Sequence, residues 1–120
     1  MSNKANEKPR IGITIGDYNG VGPEVIIKAL ADNRILAMMT PVIYGSTRVL
    51  SYYKKALNQE EFNYTAVKDS GQLQLKAVNV VNCWEDQPEL QPGVATPEGG
   101  TFAIIALKKC VADLNSGYLD

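Results

Sequence analysis

Hydrophobic positions along the chain change period several times, and each change predicts an element. Residues 1–9 carry no apolar run and are expected to be a flexible lead-in, with residues 10–120 forming the folded part. Arg10 to Ile15 (RIGITI) alternates and is rich in β-branched residues, which predicts a strand. Gly16 to Gly22 (GDYNGVG) is a sharp turn, and Pro23 with Glu24 opens a helix whose stretch from Val25 to Ala31 is apolar enough to bury. Asp32-Asn33 interrupts it, and Arg34 to Met39 reads as a second short helix. Pro41 to Tyr44 predicts a short buried strand, closed by Gly45 and by Ser46 as an N-cap. Val49, Leu50, Tyr53 and Leu57 then share one helical face.

Two further strands are predicted, at Phe62 to Val67 and Val78 to Val81. Glu85 to Gly100 is proline- and glycine-rich and reads as a long loop. At its end Thr96 can cap a helix, with Pro97 at the first position and Glu98 in the first turn. Ala103, Leu107, Cys110, Val111 and Leu114 form the predicted apolar stripe of that helix, and Asn115-Ser116-Gly117 ends it. Strands alternating with helices predict an α/β fold: a layered sheet with flanking helices and some parallel pairing.

Charge narrows the function classes. Twelve basic against thirteen acidic residues give a net charge of −1, without the clustered cationic excess of a nucleic-acid footprint. Lys54-Lys55 and Lys108-Lys109 fall in amphipathic segments and read as solvated helix faces. No apolar run is long enough to cross a membrane and no apolar signal segment opens the chain, so a cytoplasmic protein is expected. Cys83 and Cys110 lack CxxC spacing. Cys110 reads as a buried reduced thiol, and Cys83, beside Trp84, as the more exposed of the two. The chain has no histidine, which argues against a self-contained metal or triad site.

Candidate chemistry concentrates in the glycine turn. Strand, glycine-rich turn and helix together can present backbone N–H groups to an anion, and Gly16, Gly20 and Gly22 let the backbone bend close to a ligand. Neither standard nucleotide fingerprint fits: Val25 stands where the dinucleotide pattern needs glycine or alanine, and no P-loop lysine follows. Asp17 can be read as a general base, an acceptor for a substrate hydroxyl or amine, or an orienting group. It can equally be an Asx turn that holds the loop shut. Asn19 has the same two readings. Glu24, Thr96 and Glu98 read as helix-end residues.

The segment Ile13 to Glu24, ITIGDYNGVGPE, resembles the amino-terminal signature of the 4-hydroxythreonine-4-phosphate dehydrogenase family, the PdxA-type oxidoreductases of vitamin B6 (pyridoxal phosphate) biosynthesis. In that signature a strand leads into Gly-Asp/Glu-Pro-Ala-Gly-Ile-Gly-Pro-Glu/Asp. Gly16, Asp17, Gly20, Gly22, Pro23 and Glu24 match it, while Tyr18 and Asn19 replace Pro-Ala and Val21 replaces Ile. Weaker resemblance continues at Pro41 to Ser46 and at Gly93 to Leu114.

The resemblance implies part of an isocitrate/isopropylmalate dehydrogenase-like fold. It implies a two-domain homodimer with its active site in an interface cleft. There NAD oxidises a small phosphorylated hydroxy acid, 4-phospho-hydroxy-L-threonine, and the resulting β-keto acid loses CO2. A divalent metal polarises the reacting oxygens. Gly16, Asp17, Asn19, Gly20 and Gly22 are the implied substrate-binding residues, and no catalytic residue is assigned. The family's metal-binding histidines come later in the chain and have no counterpart here, so no metal ligand is carried over. Neither NAD nor metal is expected to bind fully to this chain. It is expected to be an amino-terminal fragment, inactive alone. The other reading is a stand-alone, non-catalytic α/β module that binds a small anion at the Gly16–Pro23 turn. Relatives with other four-carbon phosphates as substrates share the implied architecture.

Overall fold

A computed structural model describes residues 8–120 of the chain. Residues 1–7 of the expected lead-in lie outside the described residues. Pro9 is anchored, its carbonyl accepting from the Thr40 N–H at 2.8 Å.

Four strands form one fully parallel sheet: β1 (Arg10–Thr14), β2 (Thr40–Gly45), β3 (Thr65–Val67) and β4 (Asn79–Asn82). Their order is β1-β2-β4-β3. Ile13 sits opposite Ile43 and Ile43 opposite Val80, so β-branched side chains run in rows across the sheet. β2 is buried at all six positions, as expected for a central parallel strand covered on both faces.

The period-2 alternation of the strands separates two cores. On one face Ile15, Ile43 and Val80 pack against Ile26, Ile27 and Leu30 of α1 (Gly22–Leu30) and Val49, Leu50 and Tyr53 of α3 (Thr47–Ala56). A four-residue helix, α2 (Ile35–Met38), links α1 to β2. On the other face Val42, Tyr44, Val67 and Val81 meet Ala106 of α4 (Pro97–Asn115), together with Leu119. The result is three layers, with α1 and α3 on one side of the sheet and α4 on the other. A 3-10 turn over Ser70–Gln72 lies between β3 and β4.

The predicted helix ends are in place. Ser46 Oγ accepts from the Arg48 N–H and Thr96 Oγ1 from the Gly99 N–H. Gly117, at φ +86°, follows α4.

Several expectations are corrected. Val25 is 57% exposed, because only Ile26, Ile27 and Leu30 turn toward the sheet. The strand expected from Phe62 starts at Thr65; Phe62 enters the core from a loop, its N–H bonded to the Gln59 carbonyl. The long loop ends at Thr96, so Gly99 and Gly100 belong to α4. The apolar stripe of α4 is displaced. Its buried face is Gly99, Phe102, Ala106 and Asp113, with Cys110 half-buried, whereas Leu107, Val111 and Leu114 are exposed.

Small residues explain that shift. Ala106, fully buried, and Gly12 of β1, where a Cβ would collide with Cys110 and Leu119, let the helix approach the sheet closely, while Gly99 makes room for the Asp17 side chain. The buried Asp113 accepts from the Tyr44 hydroxyl at 2.7 Å and lies 3.4 Å from Lys109 Nζ, so its charge is compensated. Cys83 is also no more open than Cys110; both are half-buried free thiols, and burial pushes Cys83 up to about 11.

Candidate functional site

All loops at the carboxyl ends of the strands gather on one edge of the sheet, where open α/β folds bind ligands. The glycine turn is one part of that edge. Gly16, at φ +70°, reverses the chain after Ile15. Asp17 Oδ1 accepts from the Asn19 N–H at 2.8 Å and the Asp17 carbonyl from the Gly20 N–H at 2.9 Å. That is an Asx turn nested in a β-turn. Gly22 has no room for a side chain, since a Cβ would collide with the Ile15 carbonyl oxygen.

The turn is tied to three other elements. Asn19 is 3% exposed and faces inward: its Oδ1 accepts from the Gln91 N–H at 2.7 Å, and its carbonyl from the Gly93 N–H at 2.7 Å. Tyr18 is buried, donates to Glu98 Oε1 at 3.0 Å, and through its carbonyl accepts from the Tyr53 hydroxyl at 2.6 Å. Burial, reinforced by Glu98, raises the Tyr18 phenol above its ordinary value. The Asp17 carboxylate lies against Gly99, in the first turn of α4, where a Cβ would displace it. A carboxylate at a helix N-terminus is favourable.

Of the five residues expected to bind substrate, the structure brings Gly16, Asp17 and Gly20 to the surface or near it. Asn19 and Gly22 shape the turn from inside. The Asn19 and Gly20 N–H groups are spent within the turn, so a stand-alone anion cradle there lacks two of its donors.

The second part of the edge is a cleft of about 640 Å³ that the sequence did not announce. Its walls come from the start of α3 (Thr47, Arg48), the end of β3 (Lys68) and the strand-to-loop exit of β4 (Asn82, Trp84, Glu85, Asp86). β2 and β4 are neighbours in the sheet, yet β2 leads into α3 on one face and β4 into α4 on the other. The cleft sits where those connections part. Asn82 Oδ1 accepts from the Thr47 N–H at 2.8 Å, bridging the two exits. Arg48 NH1 donates to the Pro88 carbonyl at 3.1 Å and fixes the rim. Tilted ring contacts join cleft and turn: Trp84 to Phe102 at 4.7 Å between centroids and Phe102 to Tyr18 at 6.0 Å. Only strand order could have revealed this site, and strand order is not written in local sequence.

No protein-family model matches the chain. Curated proteins do. A 4-hydroxythreonine-4-phosphate dehydrogenase of Bacteroides thetaiotaomicron is 39% identical over 113 residues, covering 94% of this chain and 31% of that protein. The chain is similar to part of the 4-hydroxythreonine-4-phosphate dehydrogenases. A Clostridium botulinum protein provisionally named D-threonate 4-phosphate dehydrogenase is 31% identical over 118 residues, covering 96% of this chain and 35% of its own. A crystal structure of a 4-hydroxythreonine-4-phosphate dehydrogenase from Burkholderia phymatum superposes with a TM-score of 0.86 at 26% identity, over 96% of this chain and 35% of that one.

The chain therefore spans about a third of the length of the relatives it matches. Its parallel sheet is part of the isocitrate/isopropylmalate dehydrogenase-like fold that these 4-hydroxythreonine-4-phosphate dehydrogenases have. Among the described residues no three His, Cys, Asp or Glu side chains converge as a metal site, and no helix is long and apolar enough to cross a membrane.

Proposed function

We propose that this chain is a portion of a cytoplasmic, NAD-dependent oxidoreductase that acts on 4-phospho-hydroxy-L-threonine in pyridoxal phosphate biosynthesis. The observation that carries this reading is 39% identity to a 4-hydroxythreonine-4-phosphate dehydrogenase across 94% of the chain. The reaction removes a hydride from a secondary alcohol to NAD and a proton to solvent; the β-keto acid so formed then loses CO2. A divalent metal, when bound, would polarise the reacting oxygens. The donor set among the described residues does not fit one, so its ligands are assigned to the rest of a longer, homodimeric protein.

Within this division of labour the glycine turn presents Gly16, Gly20 and the Asp17 carboxylate toward the phosphorylated hydroxy acid. Asn19 and Gly22 hold the turn in shape. Asp17 accepts a hydrogen bond from substrate on the oxygen that the Asx turn leaves over. The 120-residue chain alone is inactive in this reading, because the described residues supply no metal-ligand set.

The test is NADH formation. A longer protein containing this chain, given 4-phospho-hydroxy-L-threonine, NAD and a divalent cation, is expected to reduce NAD, and the 120-residue chain is not. Preference for D-threonate 4-phosphate would transfer the reading to the second set of relatives. No turnover of either substrate would overturn it. Asp17→Asn in the active protein is expected to raise KM by about tenfold with little change in kcat, as loss of a uniform binding contact does.

A further inference from the structure

We propose that the cleft between the exits of β2 and β4 is a binding site for a nucleoside phosphate. The argument begins with topology. Where neighbouring parallel strands send their connections to opposite faces, the loops diverge and leave a crevice at the carboxyl ends. β2 and β4 are the pair that does so here. The crevice measures about 640 Å³, inside the range of small-molecule sites.

The chemistry of the walls selects the ligand. Arg48 and Lys68 place two cations on the cleft. The Arg48 fork is fixed by its hydrogen bond to Pro88 and has four further N–H donors, which suits a phosphate. Glu85 and Asp86 place two acceptor-only carboxylates on the same cleft, which suits vicinal hydroxyls. Trp84 adds an aromatic wall held by its tilted contact with Phe102, which suits a planar base. The first N–H groups of α3 are already capped by Asn82 and Ser46, so the phosphate is assigned to the two side-chain cations and not to the helix end. One ligand with phosphate, hydroxyls and base matches all three walls.

This inference rests on the proposed nucleotide dependence only in its choice of probe. Trp84 is the single tryptophan of the chain, so its emission reports on the cleft directly. The 120-residue chain is titrated with AMP, and separately with inorganic phosphate, by Trp84 fluorescence and by calorimetry. Saturable one-to-one binding of AMP is expected, with phosphate binding at least tenfold more weakly. Lys68→Glu and Asp86→Asn, each checked for an unchanged circular dichroism spectrum, are expected to weaken AMP binding about tenfold and about threefold. Trp84→Phe removes the optical signal while calorimetry still detects binding.

The proposal is overturned if AMP gives no saturable signal up to about 10 mM. It is overturned if phosphate binds as tightly as AMP, or if both Lys68→Glu and Asp86→Asn bind AMP normally. Should either variant misfold, the other decides. The assay needs no turnover, so failure here leaves the dehydrogenase reading standing, and failure of NADH formation leaves the cleft standing.

Discussion

Single residues in the glycine turn carry effects that their size does not suggest. Gly22→Ala drives a Cβ into the Ile15 carbonyl oxygen, whereas Gly20→Ala makes a tight 3.3 Å contact with the Asp17 carbonyl that a small shift of the turn relieves. Urea denaturation is expected to show Gly22→Ala destabilised by about 3 kcal/mol and Gly20→Ala by under about 1 kcal/mol. Asn19→Ala removes the acceptor of the part-buried Gln91 N–H bond, a loss of about 0.5–1.5 kcal/mol, and limited proteolysis should then cut within residues 85–96 before any global unfolding.

Cys83 contributes to the alkaline behaviour, alongside Cys110, Tyr18, Tyr44 and Tyr53, all of which burial raises. Burial raises the folded Cys83 value from the ordinary 9.0 to about 11, so above pH 9 the unfolded chain loses the proton first. The Cys83 contribution to stability is full below pH 9 and falls as the pH rises to about 11. Cys83→Ala should make the alkaline fall shallower in pH-dependent melting, without abolishing it, since Cys110 and the buried tyrosines remain. The Asx turn at Asp17 was one of two readings open in the sequence, because the side chain that makes it is local. The inward pull on Asn19 was not legible, since its partner is 72 residues away.

Elements were legible where their signals were local. Caps at Ser46 and Thr96, the Pro97 start and the Gly117 stop of α4 all fell where the sequence put them. Which side of α4 faces the sheet did not. The helix is apolar on more than one side, and the choice was made by close approach of Ala106 and Cys110 to the sheet at Gly12 and by the distant partner Tyr44 of Asp113. Substitution separates the faces: Ala106→Leu overpacks a fully buried site and should cost about 1–3 kcal/mol. Leu107→Glu, at 52% exposure, should stay within about 0.5 kcal/mol in the same denaturation assay.

At the scale of the molecule, the sequence predicted an α/β layer with parallel pairing, and the sheet is parallel throughout. Strand order escaped it, because β4 inserts between β2 and β3 through pairings that no local pattern encodes. The cleft escaped with it. The outer side of α4 leaves Ile104, Leu107, Val111 and Leu114 at 46–54% exposure, with Tyr118 beyond the helix at 42%. Patches of this kind bind hydrophobic dyes, so a several-fold rise in dye fluorescence is expected from the folded 120-residue chain. Leu107→Glu with Val111→Glu should reduce it without moving the melting temperature.

The inserted position of β4 also has a consequence for chain assembly in time. A parallel sheet offers no hairpin to start from, and among the described residues β3 pairs with β4 alone. As the polypeptide leaves the ribosome, β1 and β2 can associate once residue 45 is free, while β3 must wait, unpaired, until residue 82 has followed it out. β4 is thus the keystone that joins two otherwise separate pieces. Nascent chains arrested with β4 still in the tunnel should hold β1 and β2 together but leave Thr65–Val67 open to amide exchange.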